Sequence, residues 1–385
     1  MSQLEIRTIK TKKEIKAFIR FADHLYADDP LYVPVIKNDM YKKFVSEFIK
    51  GKAMYPAIAY NVYQDERMVA RLYLNTYMAR PGTPLEAKEG VFNYFEGIDD
   101  QHVFNTLFDQ AKTWFIEQGV PTYYGNTNPL DPDDNRGILI EGFEDAPVSL
   151  CIYNKPYYQK LFETYGFKTR EDLLGLKLVP EKVFDDAYES RVKRVKERYG
   201  YHVDDVNKHR IPEEAKDVIE IIQQSITDEW DMRGPETVEE LSDFFNAWKH
   251  LLNFDYIKVA RTDDGHKPIG FTMIIPNFNE VIQKLKGNLS WYNIPRALYY
   301  KKKIRTARAM IQMVIPEYQG KGVINALYYE YFELAKRDQL KYLDASTIGT
   351  TNTKSWVSIE KLGGYKYKLF RLYEYPLTKD DVYEA

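Results

Sequence analysis

The chain has 385 residues but only one cysteine, Cys151. One cysteine cannot form an internal disulfide or a cysteine zinc cluster, so we expect a reducing compartment and an ordinary buried role for Cys151. The six histidines are scattered, and none stands with acidic residues at a spacing typical of metal ligands. The sequence therefore predicts no metal.

Long apolar runs and an excess of one charge are also lacking. No run approaches the roughly 20 apolar residues of a membrane-spanning helix, and the first residues lack the apolar stretch of a signal peptide. The net charge of −3 offers no broad positive field to nucleic acid. We expect a cytoplasmic globular protein that does not bind nucleic acid, either a monomer or a homodimer.

The hydrophobic periodicities predict one order of elements that occurs twice: a strand, helices, three strands, a helix, a strand, a helix and a strand. In the first half the predicted strands are 4–9, 57–63, 68–77, 90–95, 121–125 and 173–178, with helices at 12–26, 101–118 and 157–165. A charged helical segment, 181–198, links the halves. In the second half the strands are 201–206, 256–260, 269–275, 307–315, 342–348 and 367–375, with helices at 213–230, 238–252, 323–337 and 355–362. The length also suits two domains, which we place at 1–180 and 181–385.

The strongest motif lies where strand 307–315 leads into helix 323–337. Pro316 ends an apolar strand, and the glycine-rich turn Gln319, Gly320, Lys321 and Gly322 precedes the helix. A strand, a glycine turn and a helix present free backbone N–H groups to a phosphate, although an ordinary connection has the same pattern. A nucleotide-binding P-loop is disfavoured, because Gly322 is followed by Val323 rather than by a lysine and a hydroxyl residue.

This turn resembles the Q/R-x-x-G-x-G/A motif of the GNAT (GCN5-related N-acetyltransferase) superfamily of acyl-CoA-dependent N-acyltransferases. Gln319, Gly322 and the residues between them fit, whereas Ile324 stands where a small residue is usual. A second element agrees: Asn352 leads a helix that ends at Leu362, Gly363, Gly364 and Tyr365. A wider set of segments spans nearly the whole chain: Asp28–Pro34, Asn128–Pro129, Gly142–Phe143, Tyr153–Tyr158, Pro316–Gly322, Asn352, Leu362–Gly364 and Arg371–Glu374. On these segments the sequence resembles bacterial tandem-GNAT acyltransferases, a group that includes proteins similar to bacterial ceramide synthases.

The resemblance implies an α/β (α+β) fold with two tandem GNAT-like domains, each a mixed, mostly antiparallel twisted sheet flanked by helices. It also implies a splayed strand pair that holds acetyl-CoA or a longer acyl-CoA as co-substrate. The implied binding residues are Met313, Val314, Ile315, Gln319, Gly320, Lys321, Gly322, Val323, Ile324 and Asn352. Asn352 has a second interpretation as a helix N-cap. The expected reaction is direct attack of a primary amine, small or lipid-like, on the thioester.

The acid and base of such a reaction are less clear in the sequence. The candidate base is Asp344 on the fifth strand of the second copy, with Glu229 and Asp231 as rivals. The family's usual acid is a tyrosine seven residues after the asparagine, and isoleucine stands there, at Ile359. Ser355, Ser358, Tyr365 or water are the substitutes. Ile359 also favours an alternative function, a catalytically silent acyl-CoA-binding module.

The first half lacks the glycine turn. After the corresponding strand it has Glu96, Asp99 and Asp100, which would repel a pyrophosphate. We therefore expect no CoA site there, and a role in shaping the acceptor groove or in dimerisation. The aromatic cluster to examine is Tyr153, Asn154, Tyr157 and Tyr158.

The insert 278–303 interrupts the second copy with mixed aromatic and basic residues. Such a stretch is typical of an interfacial membrane element or of a lid over an apolar substrate. The alternative is a surface excursion with solvated lysines. The sequence thus leaves open a peripheral membrane contact through 278–305.

Overall fold

The computed structural model describes residues 3–78, 88–127, 135–180, 186–226, 237–248 and 252–377. Its strands are β1 Leu4–Thr8, β2 Ala57–Gln64, β3 Arg67–Met78, β4 Lys88–Gly97, β5 Thr122–Gly125, β6 Ile138–Glu141, β7 Lys168–Leu178, β8 Tyr201–Asp205, β9 Ile257–Thr262, β10 Pro268–Pro276, β11 Thr306–Val314, β12 Tyr342–Gly349 and β13 Tyr365–Pro376. Its α-helices are α1 Lys12–Leu25, α2 Lys37–Phe44, α3 Gln101–Glu117, α4 Tyr158–Tyr165, α5 Asp186–Tyr199, α6 Ile211–Ser225, α7 Val238–Trp248, α8 Asn279–Lys284, α9 Ile294–Lys301, α10 Val323–Arg337 and α11 Thr353–Lys361. In this described part, no helix is long and apolar enough to cross a membrane.

The chain forms two compact units that are discontinuous in sequence. The first unit contains Met1–Leu174, Asn279–Lys302 and Lys368–Ala385, and the second contains Gly175–Phe278 and Lys303–Tyr367. The insert thus belongs to the first unit, as does most of the last strand. The predicted division of the two fold copies near residue 180 stays a prediction.

In the first unit the strand order is β1-β2-β3-β4-β5-β13, with β6 also paired to β13. The pairs are antiparallel except β4 with β5, which is parallel. Helix α3 lays an apolar face on this sheet, and its Phe104 and Phe108 stack with ring centroids 4.4 Å apart. A dense aromatic core results, which burial of large side chains stabilises.

In the second unit the order is β8-β9-β10-β11-β12, again antiparallel except for the last pair, β11 with β12. Helix α10 buries an apolar face, which includes Val323, Leu327 and Tyr331. The predicted mixed, mostly antiparallel sheet flanked by helices is confirmed. Each unit thus has a parallel strand pair with a helix before its second strand, and the pair in the second unit carries the candidate site.

Candidate functional site

The candidate site begins where β11 and β12 part. Their parallel register runs from Thr306 opposite Tyr342 to Arg308 opposite Asp344 and ends there. The antiparallel register of β11 with β10 continues to Val314 and shifts by one residue between Met273 and Ile274. That shift marks a β-bulge on β11, and a bulge bends a strand away from its neighbour. The splayed strand pair expected from the sequence is therefore present in the second unit.

The glycine turn lies directly beyond this splay. Gly320 and Gly322 have φ angles of +76° and +77°, in the left-handed region that favours glycine. A Cβ built on Gly320 would have no heavy atom of the described structure within 4 Å, whereas one on Gly322 would lie 2.7 Å from Val195 Cγ1. Gly320 thus faces open space, while Gly322 allows α5 to pack closely against the start of α10.

The N-terminus of α10 has the properties of an anion site. Gly322 is the N-cap residue and supplies no side-chain cap. The first-turn N–H groups, those of Val323, Ile324 and Asn325, have no partner inside the helix, and the helix dipole adds positive potential there. Lys321 is half-buried, with its Nζ 4.3 Å from the centroid of the Tyr318 ring. It is therefore held beside the turn rather than directed freely into water.

A small cavity adjoins this helix end. It has a volume of about 240 Å³, and its lining includes Arg191 and Arg194 of α5 together with Gly322 and Asn325 of the turn and α10. The guanidinium of Arg191 also lies 5.5 Å from the ring centroid of Tyr188. The sequence did not single out these arginines, because α5 was recognised only as a charged linking helix.

The strand side chains of the site are held as follows. The carbonyl of Val314 accepts a hydrogen bond from Gln319 Nε2 at 3.2 Å. Met313, Val314 and Ile315 are buried, and Ile324 is half-buried. The Gln319 side chain therefore links the end of β11 to the turn. The predicted strand and turn residues, 313–315 and 319–324, follow one another in the chain, and Asn352 lies at the start of α11.

Asp344 is fully buried at the last position of β12 that pairs with β11. Its Oδ2 accepts hydrogen bonds from the Tyr367 hydroxyl at 2.5 Å and from Ser346 Oγ at 2.9 Å. Arg308, also fully buried, donates from Nε and Nη2 to the Ser346 carbonyl at 3.1 and 2.8 Å. These polar groups form a buried network at the base of the splay. Arg308 and Tyr367 were missed in the sequence, although a charged residue among Ala307, Ala309 and Met310 was a usable signal.

The start of α11 shows the N-cap role that the sequence left open for Asn352. Asn352 is exposed, and its Oδ1 accepts from the Ser355 N–H at 3.2 Å. The Ser358 hydroxyl donates to the Ser355 carbonyl at 2.6 Å. Ile359 is fully buried, whereas Tyr365 is 47% exposed. Trp356 Nε1 donates to the Thr350 carbonyl at 3.1 Å, so the indole is fixed near the end of β12.

Two predicted candidates, Glu229 and Asp231, lie outside the described residues. Among the described residues, no group of three or more His, Cys, Asp or Glu side chains is placed to hold a metal ion.

The corresponding strand of the first unit carries a buried carboxyl beyond its parallel pair. Its parallel register, of β4 with β5, ends at Phe92, and the register of β4 with β3 shifts close beyond that point. Glu96 then accepts hydrogen bonds from the hydroxyls of Tyr26 at 2.8 Å and Tyr158 at 2.6 Å. Burial raises the pKa of the Glu96 carboxyl, and the nearby Arg71 guanidinium and the tyrosine hydroxyls oppose that rise.

The start of α3 in the first unit is capped. Asp100 accepts from the N–H groups of His102 at 2.8 Å and Val103 at 3.2 Å. The N-cap residue of α3 thus carries a carboxylate, whereas the N-cap residue of α10 in the second unit is Gly322, which has no side chain. In the predicted aromatic cluster, Asn154 bonds both backbone groups of Leu139, and the Tyr157 hydroxyl donates to Gly97 O. These contacts fix the backbone at Leu139 and Gly97.

Comparison with known proteins gives the following. No protein-family model matches the chain. Protein YghO of Escherichia coli (strain K12) is 28% identical over 385 residues, which cover 96% of this chain and 94% of that protein. Bacterial ceramide synthase of Caulobacter vibrioides (strain NA1000 / CB15N) is 24% identical over 384 residues, 97% of each chain. A solved tandem GNAT protein from the clavulanic acid biosynthesis pathway has a TM-score of 0.57 and 12% identity, and covers 97% of this chain and 98% of its own. The tandem GNAT fold predicted from the sequence is confirmed.

Proposed function

We propose that this chain is an acyl-CoA-dependent N-acyltransferase that transfers an acyl group, acetyl or longer, to a primary amine. The observation that carries the proposal is the conjunction of the β11–β12 splay with the uncapped glycine turn at the N-terminus of α10. The splay offers a cleft with backbone along one wall, and the turn offers N–H groups to a pyrophosphate. The first unit has the splay but a capped helix, so we assign one acyl-CoA site, in the copy at 181–385.

In the proposed complex, the N–H groups of the turn from Gly320 to Ile324 hold the pyrophosphate of the co-substrate. Lys321, Arg191 and Arg194 supply positive charge nearby. The backbone of Met313, Val314 and Ile315 pairs with the pantetheine arm, and Asn352 binds the same arm in addition to capping α11. The thioester then lies in the splay.

The chemistry is direct acyl transfer. The amine nitrogen attacks the thioester carbonyl, and a backbone N–H of Met313 or Val314 stabilises the oxyanion. The C–N bond forms, the C–S bond breaks, and the thiolate takes a proton from Ser355, Tyr365 or water. The amine's proton passes to a carboxylate. Asp344 can receive it through the Tyr367 hydroxyl, which already donates to it. Glu229 and Asp231 are the other candidate bases.

For the acceptor we propose a long-chain amine. Two observations support it: the similarity to a protein named bacterial ceramide synthase, and the aromatic, basic insert 278–303. A catalytically silent acyl-CoA-binding module is the second candidate. It is favoured by Ile359, which is fully buried where the family's acid tyrosine stands.

A matched pair of variants tests the acyl-CoA site. Gly320→Asp and Gly320→Asn introduce side chains of equal size that tolerate a positive φ, and they differ by one negative charge. Beside a pyrophosphate the extra charge costs about 1–4 kcal/mol, so Gly320→Asp weakens acyl-CoA binding at least ~5-fold relative to Gly320→Asn. Thermal shift with acetyl-CoA to palmitoyl-CoA gives the measurement, and equal binding by the two variants would reject the site.

Thiol release then separates the two functions. With acyl-CoA and a panel of short and long-chain amines, an acyltransferase releases free CoA only when a suitable amine is present. Binding in the thermal-shift experiment without thiol release from any amine in the panel would favour the silent module.

A further inference from the structure

In the part of the chain that the structure describes, the insert of the first unit carries an exposed apolar surface. Among the described residues, ten large hydrophobic side chains are exposed, and six of them lie between 289 and 299: Leu289, Trp291, Tyr292, Ile294, Leu298 and Tyr299. Trp291 is 81% exposed. Helix α9 has no buried residue. We call these six side chains the insert patch.

The insert patch is held in place by the unit that carries it. Asn279 Nδ2 donates to the carbonyls of Pro147 and Val148 at 3.0 and 2.8 Å, and Gln283 Nε2 donates to Pro30 O at 2.9 Å. The Lys37 N–H donates to Gly287 O at 3.2 Å. Val281 and Leu285 are buried beneath the segment. Because these contacts hold the segment that carries the patch, the fold itself keeps the patch exposed.

The helical phase directs the patch outward. Trp291, Ile294 and Leu298 follow one another at spacings of three and four, which places them along one stripe of a helix. Asn293 is buried, and Ala297 and Tyr300 are half-buried, so these three mark the inward side. Trp and Tyr at the edge of an apolar stripe are typical of side chains that reside at a lipid–water interface.

The residues around the insert patch are mainly basic, which favours contact with an anionic lipid. Residues 281–303 contain Lys284, Lys286, Arg296, Lys301, Lys302 and Lys303 and no acidic residue, in a chain whose net charge is −3. Lys286, Arg296 and Lys302 are exposed. Cations beside an apolar helical face match the anionic headgroups and acyl boundary of a bilayer. A hydrophobic protein partner would place no negative charge beside the exposed Lys286 and Arg296.

We propose that the insert patch and the cations around it form a docking surface for an anionic lipid bilayer, with α9 lying in the plane of the interface. The proposal does not depend on the acyltransferase activity, since it needs neither acyl-CoA nor an amine. If the proposed function also holds, this surface would deliver a membrane-resident acceptor to the same chain.

Vesicle flotation tests the proposal on the full chain. We expect binding to vesicles that contain phosphatidylglycerol, weakening with salt, and little binding to pure phosphatidylcholine. Each cation near such a surface contributes roughly five-fold in affinity, so Lys286→Glu/Arg296→Glu/Lys302→Glu lowers binding by ~100-fold or more. The control Lys12→Glu/Lys208→Glu/Lys216→Glu makes the same change in net charge at exposed positions elsewhere and keeps the binding.

The apolar part is tested by Trp291→Ser/Leu298→Ser. Both positions are exposed, so we expect the variant to fold, and a melting curve verifies that it does. We expect loss of flotation with an unchanged melting temperature. Absence of wild-type binding to phosphatidylglycerol vesicles would overturn the proposal, as would equal losses in the two charge triples. A dimer in sedimentation that dissociates in the serine variant, without vesicle binding, would also overturn it and make the patch a contact between two copies.

Discussion

Glu96 and Gln312 occupy matching positions in the two fold copies, each four residues beyond the last parallel pair of its strand, Phe92 and Arg308. Both accept a tyrosine hydroxyl at 2.6 Å, Glu96 from Tyr158 and Gln312 from Tyr328. The tyrosine hydroxyl thus binds the neutral amide of Gln312 in the second copy, which has the open turn. In the first copy it binds the buried carboxyl of Glu96. One residue thus distinguishes the two copies electrostatically at the same point of the fold.

The buried Glu96 is expected to make the stability of the folded protein depend on pH. Because burial raises the pKa of Glu96 in the folded state, the folded protein holds its proton to higher pH than the unfolded chain. Stability from this group is therefore present at low pH and is lost as pH rises through the folded pKa. Glu96→Gln removes that dependence, so its stability relative to wild type increases with pH, by about 1.4 kcal/mol for each unit by which the pKa is raised.

Urea unfolding midpoints of wild type and Glu96→Gln, followed from acid to neutral pH, provide the measurement. The exposed Glu66→Gln serves as the control. A difference between Glu96→Gln and wild type that stays constant with pH would show that Glu96 does not titrate in the folded state as inferred.

The close packing of helix α5 against the start of helix α10 depends on Gly322. Gly320 and Gly322 have φ angles one degree apart, but only Gly322 has a neighbour in the way, at 2.7 Å. Gly320→Ala therefore costs only the left-handed strain, about 1–2 kcal/mol. Gly322→Ala costs that plus overpacking against Val195, about 1–3 kcal/mol more. Adding Val195→Ala to Gly322→Ala should recover the second part only.

Denaturant unfolding of the three variants resolves these contributions. Equal destabilisation by Gly320→Ala and Gly322→Ala would mean that α5 shifts freely, and that the packing of α5 on the turn is not specific.

The elements themselves could be predicted where periodicity was strong. Helix α10 begins and ends where the sequence placed it, because its apolar spacing is regular and glycine precedes it. Helix α2 was missed because Met40 and Phe44 are its only buried residues, too few to give a periodic pattern. Strand β6, of four residues, was also missed.

The site was predictable only as far as it is local. The turn Gln319–Gly322 is contiguous, so its motif could be read directly. Tyr367 meets Asp344 across 23 residues, and α5 approaches Gly322 across more than 120. Those contacts depend on strand register and helix packing, which a single sequence does not specify. The exposure of the insert patch likewise depends on which side of α9 the first unit covers.

At the scale of the whole molecule, the first unit needs residues from the far end of the chain. β13 pairs with β5 from Tyr373 to Pro376, and the Tyr373 ring stacks on Phe162 with centroids 5.1 Å apart. Arg371 binds Asp172 through two hydrogen bonds, at 2.7 and 3.0 Å. A fragment 1–180 would lack this strand and the insert, and would expose the aromatic core that Tyr373 covers.

We therefore expect fragment 1–180 alone to show no cooperative thermal transition by circular dichroism, because the lost burial and strand pairing exceed the few kcal/mol of net stability of a domain. Co-expression with fragment 181–385 restores the missing strand and insert, so the pair should co-purify and melt cooperatively; this is the matched control. If only the pair of fragments melts cooperatively, 1–180 is a copy of the fold but not an autonomous folding unit. If fragment 1–180 alone melts cooperatively at the temperature of the pair, the last strand and the insert are dispensable, and the division at residue 180 defines a true folding domain.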